Sequence, residues 1–212
     1  MLASLHKVLT WLCLVIIVIG SSYLPSSATP VVTPLPLSPK DIEFIDSFGL
    51  EEKFIREGNQ SAKAGRHQEA IEAFTKAIKL RSTYDVPYIN RSYSYLELKQ
   101  FHNAIKDCNK AIELNTKYEW AYINRGVAHA KLNKHEQALT DYKKALELNP
   151  ENSLTYYDIS CSMVELNNIA EACDYFEKAI EKGYNDWESI KQDSCMNNLR
   201  NHQCYIKIMQ GK

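Results

Sequence analysis

Apolar residues recur at spacings of three and four between residues 70 and 180, and the same arrangement occurs four times. Residues 70–78 read Ala-Ile-Glu-Ala-Phe-Thr-Lys-Ala-Ile, and closely similar segments occupy residues 104–112, 138–146 and 172–180. This spacing places the apolar side chains on one face of a helix. The pattern therefore predicts four amphipathic helices built to one design.

The four segments begin 34 residues apart, at Ala70, Ala104, Ala138 and Ala172, and other columns keep the same phase. Small residues let two helices approach closely, and aromatic residues fill the space between neighbouring units. Each period is therefore expected to hold two packed helices. The small column is Gly58, Ser92, Gly126 and Ser160, and the aromatic column is Phe54, Tyr88, Tyr122 and Tyr156.

Over residues 51–186 the chain resembles the tetratricopeptide repeat, a helical hairpin with a period of about 34 residues. The resemblance implies an all-α fold, a right-handed superhelical solenoid of antiparallel helix pairs. We expect four repeats, preceded by a capping helix and followed by capping helices like those that close many bacterial members. The predicted boundaries are 40–50 for the first cap, 51–84, 85–118, 119–152 and 153–186 for the repeats, and 187–212 for the last cap.

The amino terminus has the features of a secretory signal over residues 1–28: Lys7, an apolar run at 12–19 and Ser26-Ser27-Ala28 before a cleavage point. The alternative is a signal anchor that stays in the membrane. Residues 29–39 hold four prolines and are expected to form a stiff spacer. We therefore expect an exported protein, either periplasmic, extracellular or lumenal, or anchored with its repeats outside the cytoplasm.

Charge and motifs limit the function further. The formal net charge is −1, which does not favour a nucleic-acid partner. The chain carries no glycine-rich phosphate loop, no paired carboxylates in a shared pattern and no nucleophile–histidine set. We therefore predict a protein that is not an enzyme and that uses no cofactor and no metal.

Five cysteines follow the signal segment. In the repeat register, Cys108 and Cys173 fall in apolar columns and are expected to be buried as small apolar residues. Cys195 and Cys204 flank a loop near the carboxyl terminus, and we favour a disulfide between them. A metal site built from Cys195, His202 and Cys204 is disfavoured, because the spacing is irregular and a fourth ligand is missing.

The first helix of each unit lines the concave face in this family, so the resemblance directs attention to polar residues there. An asparagine amide can donate to a peptide carbonyl and accept from a peptide N–H. Asn90 and Asn124 resemble the asparagine ladder of the repeat domain on the enzyme that adds N-acetylglucosamine to serine and threonine. The alternative is that both amides bond only locally. The candidate groove residues are Arg56, Asn59, Asn90, Tyr93, Asn124, Val127, Tyr157 and Asp158.

One function of related repeats is not expected. The clamp that grips the acidic carboxyl terminus of heat-shock chaperones needs cations, and the matching positions here are Ile55, Trp120 and Asn124. The favoured function is a scaffold that binds an extended segment of a protein or peptide partner, with membrane contact only through an uncleaved amino-terminal segment. A self-assembling solenoid is the alternative.

Overall fold

The computed structural model describes residues 39–210, with side chains from residue 49 onwards. The chain divides into two units, 1–43 and 44–212. The described residues form ten α-helices and one 3₁₀ turn, and contain no strand. The helices are α1 (Pro39–Lys63), α2 (His67–Leu80), α3 (Val86–Glu97), α4 (Phe101–Leu114), α5 (Glu119–Lys131), α6 (His135–Leu148), α7 (Ser153–Glu165), α8 (Ile169–Glu181), α9 (Trp187–Gln192) and α10 (Gln203–Met209), with the 3₁₀ turn at Ser194–Met196.

Successive helices pack in pairs along the chain. Helices α3, α5 and α7 each contact the helix that follows, and each of them also packs on the second helix of the preceding pair. The first helices of adjacent pairs touch as well, α3 on α5 and α5 on α7. Every pair therefore contacts mainly its neighbours, which is the arrangement of a solenoid. The prediction of an all-α solenoid of helix pairs is confirmed.

A single left-handed residue ends the first helix of each pair. Gly65, Lys99, Asn133 and Asn167 have φ between 56° and 73°, and they lie 34 residues apart. Glycine and asparagine adopt this conformation at little cost, whereas lysine does not. The turn between paired helices is therefore the same in all four units, although one unit uses an unfavourable residue.

Close packing within the pairs explains the column of small residues. A Cβ atom added to Gly126 would lie 2.6 Å from the ring of Tyr142, and one added to Gly58 would lie 2.5 Å from Phe74. Both distances are too short for any side chain. In the second helix pair the small residue is Ser92, which is fully buried, and burial raises the pKa of the Cys108 thiol to about 12. Cys108 is buried and forms no disulfide.

The amino-terminal boundary differs from the sequence-based expectation. A separate capping helix was expected at 40–50, but α1 runs without interruption from Pro39 to Lys63. After its first residue the helix contains no proline, and Gly49 alone does not end it, because one glycine costs only about 1 kcal/mol relative to alanine. The buried carboxylate of Glu51 on this helix pairs with Arg81 at 2.8 Å, next to the end of α2.

The segment after α8 covers the last pair of helices. Ile190, Met196 and Leu199 are fully buried, and Tyr205 stacks on Phe176 with ring centroids 5.9 Å apart. Asp186 begins α9 by accepting from the Ser189 N–H at 3.1 Å, and His202 begins α10. Throughout residues 39–210, no helix combines the length and the apolar character needed to span a bilayer.

Candidate functional site

A cavity of about 940 Å³ runs across α3, α5 and α7, the first helices of the second, third and fourth helix pairs. Helical periodicity places residues four and seven positions apart on one face, so each helix contributes a stripe. The stripe of α5 contains Trp120, Asn124, Val127 and Lys131. Helix α3 adds Ile89, Asn90, Tyr93, Leu96 and Glu97, and α7 adds Leu154 and Asp158.

Large apolar side chains on the walls of this cavity face solvent. Tyr93 is 47% exposed, Trp120 45% and Leu154 40%. They belong to three different helices, yet all three line the same cavity. A cluster of exposed apolar side chains that converge on one concavity is typical of a surface that another molecule covers.

Five of the eight residues predicted from the sequence line the cavity: Asn90, Tyr93, Asn124, Val127 and Asp158. The other three lie elsewhere. Arg56 is exposed on α1, and Asn59 on the same helix is partly buried. Tyr157 is only 4% exposed, and its hydroxyl donates to Asp193 at 3.0 Å in the segment that covers the last unit. Tyr157 therefore packs towards the carboxyl terminus.

The two asparagines are engaged within the protein. The buried Asn124 amide donates to Ser92 Oγ at 2.9 Å and to the Ile89 carbonyl at 3.4 Å, which joins α5 to α3. The Asn90 amide donates to Asn59 Oδ1 at 2.9 Å, which joins α3 to α1. Each amide thus bridges consecutive first helices. These contacts favour the structural alternative for the –NH₂ groups of both residues.

Asp158 is the charged group set among the apolar residues of the cavity. Burial raises the pKa of its carboxyl group to about 7, the positive charge of Lys131 opposes that rise, and Asp193 adds to it. Among the described residues, the Asp158 carboxylate takes part in no hydrogen bond and in no ion pair within 4.0 Å. The other charged residues of the cavity, Glu97, Lys99 and Lys131, are exposed at or just beyond helix ends.

The disulfide prediction is wrong. Cys195 and Cys204 do not pair with each other; Cys195 is joined to Cys161 on α7, and Cys204 to Cys173 on α8. The Cα atoms are 5.2 Å and 5.9 Å apart, within the usual range for a disulfide. The chain between 195 and 204 turns so that each of its cysteines meets a different helix. Cys173 is therefore a bridging residue, and not merely a small apolar one.

His202 lies beside the second disulfide. Its Nδ1 is 3.2 Å from the Sγ atoms of both Cys173 and Cys204. These three atoms are close enough to share a metal ion, as are those of Cys161, Asp193 and Cys195. Each group offers three ligand atoms and uses two sulfurs that are already bonded to each other, so neither matches the four-ligand arrangement of structural zinc.

Comparison with known families decides what kind of repeat this is. Models of the tetratricopeptide repeat match residues 61–84, 87–118, 119–152 and 154–181, more than half of the chain. The chain belongs to the tetratricopeptide repeat family. Each matched segment contains the second helix of one pair together with all or part of the first helix.

Solved structures of other tetratricopeptide repeats are similar to this one. The Arabidopsis OM64 TPR domain is 31% identical, with a TM-score of 0.54 over 55% of this chain and 96% of that domain. The first TPR of Spaghetti (RPAP3), bound to the HSP90 peptide SRMEEVD, is 35% identical, with a TM-score of 0.50 over 59% and 94%. MamA from Desulfovibrio magneticus RS-1 is 23% identical, with a TM-score of 0.59 over 68% and 78%, and shows the fold alone.

The tetratricopeptide repeats in the middle of the chain contain ion pairs that we did not predict. In the third repeat, Arg125 binds both carboxylate oxygens of Asp141, at 2.6 and 3.0 Å, and reaches Asn109 of the preceding repeat at 2.7 Å. In the second repeat, Arg91 does the same with Asp107 and Thr75. The signal was present in the sequence, because the arginines and the aspartates are each 34 residues apart.

Proposed function

We propose that this protein is a non-enzymatic scaffold that binds an extended segment of a partner protein in the cavity across α3, α5 and α7. The observation that carries the proposal is the convergence of Tyr93, Trp120 and Leu154, all more than a third exposed, on one cavity. Aromatic anchors of this kind dominate the energy of many protein interfaces. The binding of HSP90 and HSP70 peptides by the similar RPAP3 domains supports a peptide as the type of partner.

The acidic peptides held by those RPAP3 domains are poor candidates for this groove. The positions that carry cations in the chaperone clamp are occupied here by Ile55, Trp120 and Asn124. Trp120 and Asn124 line the cavity and bring no positive charge to it. An apolar segment that can contact Trp120 suits these walls better than a run of carboxylates, because the only cations among the described residues of the cavity are Lys99 and Lys131, and both are exposed at or just beyond helix ends.

The alternative of end-to-end assembly is less well supported. A solenoid stacks on itself when the apolar face of its last repeat is uncovered. Here Met196, Leu199 and Tyr205 are buried against the fourth repeat. This covering favours a scaffold that binds partners along its side.

We further propose that the protein works outside the cytoplasm. The two disulfides support this location, because such bonds persist in oxidising compartments. Residues 1–28, which carry the predicted signal or signal anchor, lie outside the described residues. A fusion of residues 1–50 to a reporter enzyme that is active only outside the cytoplasm tests export. Activity should appear with the natural segment and disappear when charged residues interrupt residues 12–19.

A peptide selection tests the binding proposal. The full chain should select binders from a displayed random peptide library, and calorimetry then measures their affinities for the wild type and for variants. Changing Tyr93 and Trp120 to Ala should weaken binding by about thirtyfold or more, since interface anchors are often worth 2 kcal/mol or more.

The matched control is Leu166→Ala, a leucine that is 41% exposed and lies outside the cavity. It should leave the affinity unchanged. Circular dichroism would verify that every variant stays folded. Equal affinity for the Tyr93→Ala/Trp120→Ala variant and the wild type would contradict the proposal, as would a selection that yields no binder.

A further inference from the structure

We propose that Asp158 forms a subsite for a cationic side chain, lysine or arginine, of the bound peptide. The inference rests on the proposed peptide-binding function and specifies the chemistry of its ligand. The observation behind it is an acidic side chain in a largely apolar groove that receives no hydrogen bond or ion pair from the residues that the structure describes.

The position of Asp158 supplies the first step. Leu154 lies one helical turn before it on α7, and Trp120 and Val127 line the same cavity from α5. Charged side chains at protein surfaces are normally left in water or paired. Asp158 has lost part of its hydration, yet no hydrogen bond or ion pair within 4.0 Å from the described residues replaces it.

The groups that face Asp158 do not satisfy its charge. Lys131 approaches from α5 and is exposed, while Asp193 approaches from the segment after α9 with the opposite effect. The remaining titratable neighbours are the phenols of Tyr142 on α6, Tyr157 on α7 and Tyr184 after α8. The result is a carboxyl group whose pKa is about 7, which a nearby cation would lower again.

The neighbouring aromatic residues suit the same ligand. The faces of tryptophan and tyrosine rings attract ammonium and guanidinium groups. Trp120 and Tyr93 are both about half exposed on the cavity walls. The cavity therefore offers apolar surface for the stem of a lysine or arginine side chain and a carboxylate for its charged end.

Peptides from the selection described above provide the test. Wild-type protein should enrich peptides that contain lysine or arginine among apolar residues. Replacing that lysine by norleucine, or that arginine by citrulline, should weaken calorimetric binding by about tenfold, the typical worth of a hydrogen bond between charged groups. Asp158→Asn should bind the original and the neutral peptide equally well, whereas Asp174→Asn, an exposed acid on α8, should behave as the wild type.

A change at Lys131 tests whether this lysine competes with a peptide cation for Asp158. Lys131→Met removes the competing cation, so the cationic peptide should bind this variant more tightly than the wild type.

The pH dependence of binding is a separate test. Binding of the cationic peptide to the wild type should weaken between pH ~8 and pH ~5.5, because protonation of Asp158 removes the negative charge that attracts the peptide cation. The neutral peptide and Asp158→Asn should show a much smaller change over that interval.

The outcomes separate the two proposals. If peptides are selected and depend on Trp120 but show no preference for a cation, the subsite is excluded while the binding function stands. A cation preference that survives in Asp158→Asn excludes the subsite as well. If no peptide binds, the proposed function itself is excluded.

Discussion

The two central repeats and the fourth repeat share one backbone design but are held by different chemistry. Arg91 and Arg125 bind aspartates within their own repeats and a polar residue of the repeat before. The equivalent positions in the fourth repeat are Ile159 and Tyr175. Ile159 is fully buried, and two disulfides connect this repeat to the chain that follows it.

The difference follows from the neighbours that each repeat has. A central repeat lies between two others of the same kind, so a fixed polar bridge can recur at each interface with the same geometry. The fourth repeat meets a segment that does not continue the helix-pair pattern, since it consists of two short helices and a 3₁₀ turn joined by loops. Disulfides stabilise the folded position of that segment because they reduce the conformational entropy of the unfolded chain. This effect does not depend on a large packed surface. All of these repeats thus share the helix-pair backbone, while the bonds that join each repeat to its neighbour depend on its position in the chain.

Removing the disulfides should have the largest effect. Each closes a loop of about thirty residues, with sequence separations of 34 and 31, for which the chain-entropy estimate is about 3 to 4 kcal/mol. Cys173→Ser/Cys204→Ser should lower stability by that order and expose amides of α8–α10 to hydrogen exchange. Exchange in α3–α6 should change little.

The control for this experiment identifies the free thiols of the wild-type protein. Alkylation without reductant, followed by mass spectrometry, should label Cys108 only after unfolding and should leave the other four described cysteines unlabelled. Labelling of Cys195 or Cys204 without reductant would contradict the conclusion that disulfides join the fourth repeat to the segment after it.

The ion pair of the third repeat should have the next largest effect. Asp141→Ala leaves the Arg125 guanidinium, whose side chain is 23% exposed, without its carboxylate, and should cost about 3 kcal/mol in urea unfolding. Arg125→Met/Asp141→Leu, which imitates the apolar choice of the fourth repeat, should cost less than the single change. Lys144→Ala removes only an exposed pair with Glu147 and should cost no more than about 0.5 kcal/mol. If Asp141→Ala and Lys144→Ala lowered the free energy of unfolding equally, the largely buried ion pair would contribute no more than the exposed one.

The smallest expected effect concerns the turn residues. Lys99 of the second repeat adopts the left-handed conformation that Asn167 supplies in the fourth. Lys99→Asn should therefore raise stability by about 1 kcal/mol, and Asn133→Lys should lower it by a similar amount. Thermal unfolding of the two variants measures both. A stabilising Asn133→Lys would mean that this column tolerates any residue.

The fold could be predicted because the same residue types recur at equivalent positions in four repeats. One alanine or one aromatic residue says little, but Ala70, Ala104, Ala138 and Ala172 in one phase identify a period and hence a family. The continuous helix α1 was missed because nothing in the sequence separates a helix that caps a repeat from one that simply extends it. Its boundary depends on packing that is not periodic.

The site was harder to predict for a related reason. Register placed Asn90 and Asn124 on the correct face, but it could not show that Ser92 and Asn59 would accept their hydrogen bonds. The pairing of Cys195 depends on how the segment after the fourth repeat folds back, and that segment does not follow the 34-residue period. The ion pair of Arg125 and Asp141 was visible as two columns, and it required only that they be considered together.

The position of Trp120 has a practical consequence. Of the three tryptophans in the chain, two lie in the described region: Trp120 on the cavity wall and Trp187 at the start of α9. A ligand that covers the half-exposed indole of Trp120 would shift its fluorescence to shorter wavelength. Replacing Trp187 with Phe would leave that indole as the emitter within the folded repeats. The protein thus contains a native optical reporter of groove occupancy, which allows a search for partners without any attached label.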